Sequence, residues 1–158
     1  MRTTFEALAR LDYPSDRFGV VAVPNHDDAS TIASLRRMQA SFPFLKINEV
    51  PPTTDRSWDR VWAAWSGNPH AYWWHRGARS LERDLPPKKT RQLIHAFYTI
   101  ADARSDDFLL NYIDADSAPP RDHFLAAAAG MRDYDVLQST NIAGNLNASM
   151  AASLHAFD

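Results

Sequence analysis

The sequence predicts a mixed α/β fold: a Rossmann-like, mostly parallel sheet flanked by helices and interrupted by a Trp-rich helical insertion. Three observations carry this prediction. Residues 18–23 form a continuous apolar run closed by Pro24, the pattern of a strand buried on both faces. Residues 108–113 form another apolar run, and it ends in Asp114 and Asp116. Segments with helical periodicity separate such runs, and this alternation is typical of parallel sheets.

The remaining elements follow in chain order. The spacing of Phe5, Leu8 and Leu11 predicts a helix before the first strand. A helix over residues 32–40 and an alternating strand at 44–50 complete one β-α-β unit. The same patterns predict later helices at 88–103, 121–131 and 145–157 and later strands at 108–113 and 134–140.

Composition bounds the class of protein. A chain of 158 residues with 45% hydrophobic side chains has the size of one domain with a real core, so residues 1–158 are predicted to be a single domain. Lys and Arg total 17 against 19 Asp and Glu, which leaves no basic footprint for nucleic acid. The lack of cysteine excludes disulfides and thiolate metal sites and suits a reducing compartment. Because no apolar run approaches about 18 residues, we expect a cytoplasmic location.

The inserted segment, residues 53–87, contains all five tryptophans. Trp58, Trp62 and Trp65 are spaced i, i+4, i+7, so one helical face is nearly all indole. The favoured interpretation is that this face packs on the sheet, because aromatic stripes are mostly core. The alternative is a surface that docks an acceptor, a partner or a membrane, since indole combines an apolar body with an N–H donor.

Paired carboxylates follow two of the predicted strands. Asp114 and Asp116 end the strand at 108–113, and Asp27 and Asp28 follow the strand at 18–23. Ligands of open α/β sheets collect at the carboxyl ends of the strands, where two hard oxygen donors suit Mg²⁺ or Mn²⁺ with a diphosphate. The alternative is that such acids are exposed loop residues that cap the next helix.

Basic residues open the helix predicted at 88–103. Lys88, Lys89 and Arg91 lie in its first turn, where cations oppose the helix dipole. A bound anion would make this arrangement favourable. A solvated first turn without a ligand is the alternative interpretation.

Several other chemistries lack their motifs. The five glycines are too scattered for a P-loop or a dinucleotide-binding Gly-x-Gly-x-x-Gly. The six histidines show no His-x-x-x-His spacing, so each is interpreted as a surface or packing residue. Nucleophilic catalysis has no support, because there is neither cysteine nor Gly-x-Ser-x-Gly. A haloacid-dehalogenase phosphatase would place its Asp-x-Asp at the first strand, whereas Asp114 comes late.

Four stretches together resemble the inverting family 2 glycosyltransferases, which have the GT-A fold. Residues 8–18 are similar to that family's approach to its second strand, and residues 20–31 to the strand that ends in a double aspartate. Residues 88–96 look like the helix start that lies against the nucleotide. Residues 113–119, Ile-Asp-Ala-Asp-Ser-Ala-Pro, resemble the metal-binding Asp-x-Asp motif, the most specific of the four.

The resemblance implies a metal-dependent transferase that binds a nucleotide-diphosphate sugar, a UDP-sugar by family prevalence, and delivers the sugar to an unknown glycan or lipid acceptor. Asp114 and Asp116 would hold Mg²⁺ or Mn²⁺ against the diphosphate. Arg91, with Lys88 or Lys89, would support the nucleotide, and Asp27 or Asp28 would contact its base or ribose.

The departures from the family limit what we expect of this chain. The family's opening strand does not precede Met1, and its acceptor half, with the catalytic carboxylate, does not follow. Ala29 stands where glycine is usual. We therefore expect a truncated nucleotide-sugar-binding domain that transfers no sugar alone, and whose missing segments would associate it with the cytoplasmic face of a membrane. The alternative is a non-catalytic module that docks a partner or membrane through its Trp-rich insertion.

Overall fold

The computed structural model describes residues 1–66, 85–104 and 107–138, and within them the protein is mixed α/β. Two short strands, β1 (Val20–Ala22) and β2 (Leu45–Ile47), pair in parallel. Val20 pairs with Leu45 and Ala22 with Ile47, and an isolated parallel bridge between Asn25 and Val50 extends the ladder. The predicted parallel β-α-β unit is therefore confirmed.

Five α-helices lie in the described part of the chain. Four of them begin and end within a few residues of a helix expected from the sequence, and α3 lies in the inserted segment, where the spacing of the tryptophans predicted a helical face. A single 3-10 turn, Arg56–Trp58, leads directly into α3. The helices are α1 (Arg2–Leu8), α2 (Ala29–Gln39), α3 (Asp59–Ser66), α4 (Lys89–Asp102) and α5 (His123–Gly130).

The first core cluster joins α1, α2 and β2. Phe5 and Leu8 of α1 pack with Leu35 of α2, with Phe42 and with Leu45 of β2. The Phe5 and Phe42 rings lie 5.6 Å apart between centroids. Ile113 and Phe124 pack against the rim of this cluster, so the late part of the chain is anchored on the early β-α-β unit.

The second core cluster, which we call the Trp cluster, is built from Val50, Trp58, Val61, Trp62 and Leu85. Trp58 is fully buried and stacks on Trp62, with 5.9 Å between ring centroids. Both indole N–H groups donate to backbone carbonyls of the preceding loop, which removes the cost of burying them. The prediction that this aromatic face forms core is therefore confirmed for Trp58 and Trp62. Trp73 and Trp74 lie outside the described residues.

A buried histidine faces the Trp cluster from α4. The ring of His95 lies 5.3 Å from the ring of Trp58, and only 6% of His95 is exposed. Its Nδ1 atom is buried and has no hydrogen-bond partner among the described residues. Burial lowers the pKa of His95, and the nearby charge of Asp55 opposes that shift. The neutral imidazole is therefore the form that this packing favours.

The strand predicted over residues 108–113 is not formed. The segment has no regular secondary structure, and Leu109 and Tyr112 are exposed while Ile113 packs on the first cluster. The apolar run therefore packs on the core only in part, without the backbone partner that a strand requires. Residues 134–138 of the other predicted strand are also non-regular, and Val136 is 82% exposed. Residues 139–140 and the helix predicted at 145–157 lie outside the described ranges.

The described helices give no membrane-spanning candidate. None of them combines the length and the apolar character that crossing a bilayer requires.

Candidate functional site

The candidate site lies where the start of α4 meets the end of β1. The side chain of Gln92 donates to the carbonyl oxygen of Val23 at 2.7 Å, which fixes the first turn of α4 over the end of the strand. Arg91 donates from Nε and Nη2 to Oδ1 of Asn25, at 3.2 and 2.6 Å. Because Asn25 is itself bridged to Val50, the guanidinium is tied to the sheet.

Arg91 is a buried cation. It is 7% exposed, and no described carboxylate forms an ion pair with it. A neutral amide oxygen satisfies two of its five N–H donors but does not balance its charge. A planar guanidinium can pair with a phosphate or carboxylate, and because Arg91 is only 7% exposed a ligand can meet it only at that small exposed part.

The two lysines at the start of α4 differ in their contacts. Lys88 is the N-cap residue, is exposed, and supplies no side-chain cap because its ammonium group is only a donor. Lys89 forms an ion pair with Asp114. Together with Arg91 they make a local positive region at the positive end of the helix dipole, in a chain whose net charge is −2.

The turn that carries Asp114 and Asp116, which we call the acidic turn, is held by α1. The hydroxyl of Thr4, a residue only 5% exposed, donates to the carbonyl oxygen of Ala115 at 2.7 Å. The amide of Ser117 closes the turn on the Asp114 carbonyl at 3.0 Å. Both aspartates are exposed, and Asp116 has no hydrogen bond or ion pair to another described residue.

A second contact holds the chain just beyond the acidic turn. Arg121 donates to the carboxylate of Asp12 at 2.6 Å, and the amide of Asp12 donates back to the carbonyl oxygen of Arg121 at 2.8 Å. The loop after α1 and the chain just beyond the acidic turn are therefore linked through the backbone as well as through charges.

The other predicted acids, Asp27 and Asp28, have different roles. Asp28 is the N-cap of α2, and its carboxylate accepts from the amide of Thr31 and the hydroxyl of Ser30, each at 3.0 Å. The hydrogen bonds from Thr31, and then from Ser30, hold the pKa of Asp28 below its ordinary value. Asp27 lies in the exposed turn two residues after Asn25 and has no side-chain partner among the described residues. Of the two, Asp27 is the carboxylate available to a ligand.

The residues of the acidic turn fit a divalent cation that is held jointly with a ligand better than one that is held by protein side chains only. In the described ranges no three His, Cys, Asp or Glu side chains come together as a metal site. Asp114 and Asp116 supply two carboxylates, which are hard oxygen donors, on one turn. Mg²⁺ and Mn²⁺ commonly take one or two carboxylates and complete their shells with water and substrate phosphates. The donor set therefore fits a cation that arrives with, or is completed by, a diphosphate.

The site is an open edge. Surface depressions of about 280 and 300 Å³ lie elsewhere, one beside Arg2 and Arg37 and one between Trp65 and Tyr112. Neither contains any of the seven residues predicted from the sequence. The packing of α4 brings Lys89 to Asp114 and Arg91 to the end of β1, whereas Asp28 caps α2. The contacts that position these segments involve Asn25, Gln92 and Thr4, which the sequence did not single out. Asn25 had one signal, its place directly after Pro24 at the strand end, but nothing in the sequence paired it with Arg91.

Comparison of the chain with models of protein families, with curated proteins and with solved structures gave no match.

Proposed function

We propose that this chain is the nucleotide-sugar-binding part of a metal-dependent glycosyltransferase, with a UDP-sugar as donor. The observation that carries the proposal is the convergence on the first turn of α4. Through Lys89 and Arg91 that turn contacts both the acidic turn and the end of β1. These segments are far apart in sequence, and each carries one of the stretches that resemble the family.

The proposed roles follow from charge and reach. Arg91 and Lys88 supply cationic donors to the nucleotide, and Asp27 accepts from its base or ribose. Asp114 and Asp116 hold the cation against the diphosphate. When bound, Mg²⁺ or Mn²⁺ would neutralise the charge that develops on the leaving diphosphate.

We further propose that residues 1–158 bind the sugar donor and that the base that activates the acceptor lies outside them. Deprotonation of an acceptor hydroxyl needs a carboxylate base, which in the family comes from the acceptor half. In the intact protein we place the short β1–β2 pair within a wider, Rossmann-like GT-A sheet. The isolated chain is then a binding unit without transferase activity, and sugar transfer by it would contradict this part of the proposal.

The Trp-rich segment gives less support to the alternative of a docking module. Trp58 and Trp62 are buried in the Trp cluster and cannot contact a partner without unfolding it. The docking module would be favoured if the protein had no affinity for nucleotide and still bound liposomes after Asp114 and Asp116 were removed.

The test is calorimetry of UDP binding with and without Mn²⁺. The Asp114→Ala/Asp116→Ala variant is expected to lose metal-dependent binding. The chain offers a matched control in Asp133→Ala/Asp135→Ala, which removes two exposed acids of the same Asp-x-Asp spacing and should bind as the unaltered protein does. Equal affinity with and without metal, or equal loss in both variants, would refute the assigned site. GDP and CDP in parallel titrations test the choice of uracil.

A further inference from the structure

We infer that the ammonium group of Lys89 takes the place of a metal ion at the acidic turn when no ligand is bound. When a metal-bound diphosphate binds, the ammonium group moves from Asp114 to the phosphates. This inference rests on the proposed function, because it concerns regulation of that same site. The juxtaposition that carries it is the ion pair between the ammonium group of Lys89 and the Asp114 carboxylate, one of the two predicted metal ligands.

Lys89 occupies one of the two carboxylates of the acidic turn. An ammonium group and a divalent cation both bind the Asp114 oxygens, and two cations at one carboxylate repel each other. The acidic turn is therefore asymmetric in the described structure, with Asp114 paired and Asp116 unpaired. Metal that engages both carboxylates comes close to the ammonium group on Asp114, and the repulsion between the two cations favours departure of the lysine.

The side chain of Lys89 can change its partner while its backbone stays fixed. Hydrogen bonds from Arg91 and Gln92 to the β1 end fix the first turn of α4, so the Cα position of Lys89 is set. Its side chain is 63% exposed and has a flexible four-carbon stem. The ammonium group can therefore move from one anion to another without a change in the fold.

Moving Lys89 from Asp114 to the phosphates costs little free energy. Exposed ion pairs contribute little to stability, so breaking this one weakens metal binding by only about two- to fivefold. Once the diphosphate is present, Lys89 gains a more highly charged partner than a single carboxylate. The exchange thus weakens the binding of metal alone and strengthens the binding of metal together with nucleotide. The binding of the two is therefore cooperative.

The test uses Lys89→Met in two titrations of the whole chain. With Mn²⁺ alone, followed by the electron paramagnetic resonance signal of free Mn²⁺, the variant is expected to bind metal about two- to fivefold more tightly. With UDP in saturating Mn²⁺, it is expected to bind the nucleotide about fivefold more weakly. A lysine with a merely structural role would not move the two affinities in opposite directions.

Lys88→Met is the matched control, because it removes the same charge one residue earlier without touching Asp114. It should change Mn²⁺ affinity by less than Lys89→Met does, and Lys89→Arg should restore the unaltered Mn²⁺ affinity. An equal gain in both Met variants would show a general charge effect and overturn the exchange. Unchanged or weaker Mn²⁺ binding by Lys89→Met, with metal-dependent UDP binding intact in the parent chain, would overturn the exchange and leave the proposed function standing. Absence of metal-dependent UDP binding in the parent chain would overturn both.

Discussion

The acidic turn contacts the first turn of α4, the Trp cluster packs against the middle of the same helix at Ile94 and His95, and the two regions are built in opposite ways. The Trp cluster is dry, with stacked rings and indole donors satisfied by backbone carbonyls. The acidic turn is exposed and is held by the single hydroxyl of Thr4, by Lys89 and by its own closing hydrogen bond. Helix α4 therefore connects the buried, closely packed Trp cluster to the exposed, polar acidic turn. Stability should depend on the first region and ligand binding on the second.

The largest expected effect is the loss of stability caused by Trp58→Ala. Removing a fully buried indole leaves a large cavity, so we expect a loss of about 3–5 kcal/mol in the free energy of unfolding, measured with urea. Asp116→Ala, at an exposed acid without a described partner, should change that free energy by less than about 0.5 kcal/mol. Comparable losses in the two variants would break the contrast between the regions.

The next effect is a loss of UDP affinity caused by substitution of Arg91. Arg91→Met keeps the apolar stem but removes both hydrogen bonds to Asn25 and the buried charge. We expect UDP affinity to fall by about ten- to a hundredfold, since hydrogen bonds to charged groups contribute about 1.5–3 kcal/mol. Arg91→Lys should recover only part of this affinity, because an ammonium group cannot reproduce the planar fork. Calorimetry with UDP and Mn²⁺ checks both variants, and unchanged affinity in Arg91→Met would remove Arg91 from the site.

A smaller effect is expected where the acidic turn contacts α1. Thr4→Val keeps the shape but leaves the Ala115 carbonyl without its donor, which should cost about 1 kcal/mol of stability. It should also accelerate hydrogen exchange at the Ser117 amide, which closes the turn. Thr4→Ser retains the hydroxyl and serves as the control. If exchange at Ser117 is the same in all three proteins, α1 does not hold the turn.

The smallest effect concerns pH and the Trp cluster. Because burial lowers the pKa of His95, its contribution to stability is complete above the unfolded-state value near 6.5 and is lost as the pH falls below it. Urea unfolding at pH 7 and pH 5 should show the parent chain losing more stability than His95→Gln, which cannot titrate. An identical change with pH in the two proteins would show that His95 does not contribute. Tryptophan fluorescence in the same titration reports whether the Trp cluster is the part that loosens.

The sequence predicted well what depends on neighbours along the chain. The β-α-β unit and the limits of α4 followed from apolar periodicity, and the loop before α2 carried recognisable N-cap residues, of which Asp28 proved to be the cap. Residues 108–113 had the composition of a strand, but a strand needs a backbone partner far away in sequence, and periodicity cannot supply one. The pairing of Arg91 with Asn25 was likewise beyond prediction, since the two are 66 positions apart.

The bond from Thr4 to Ala115 also bears on the order in which the molecule is assembled. It closes a separation of 111 positions, whereas the partners in the β1–β2 ladder are 25 positions apart. During synthesis at about 5–20 residues per second, α1 would wait roughly 6 to 20 s for its acceptor to be made. Over that interval the apolar side of α1 could dock on α2 and β2, but the acidic turn could not. We therefore expect Asp114 and Asp116, the proposed metal ligands, to be the last part of the described site to take their final positions on the nascent chain.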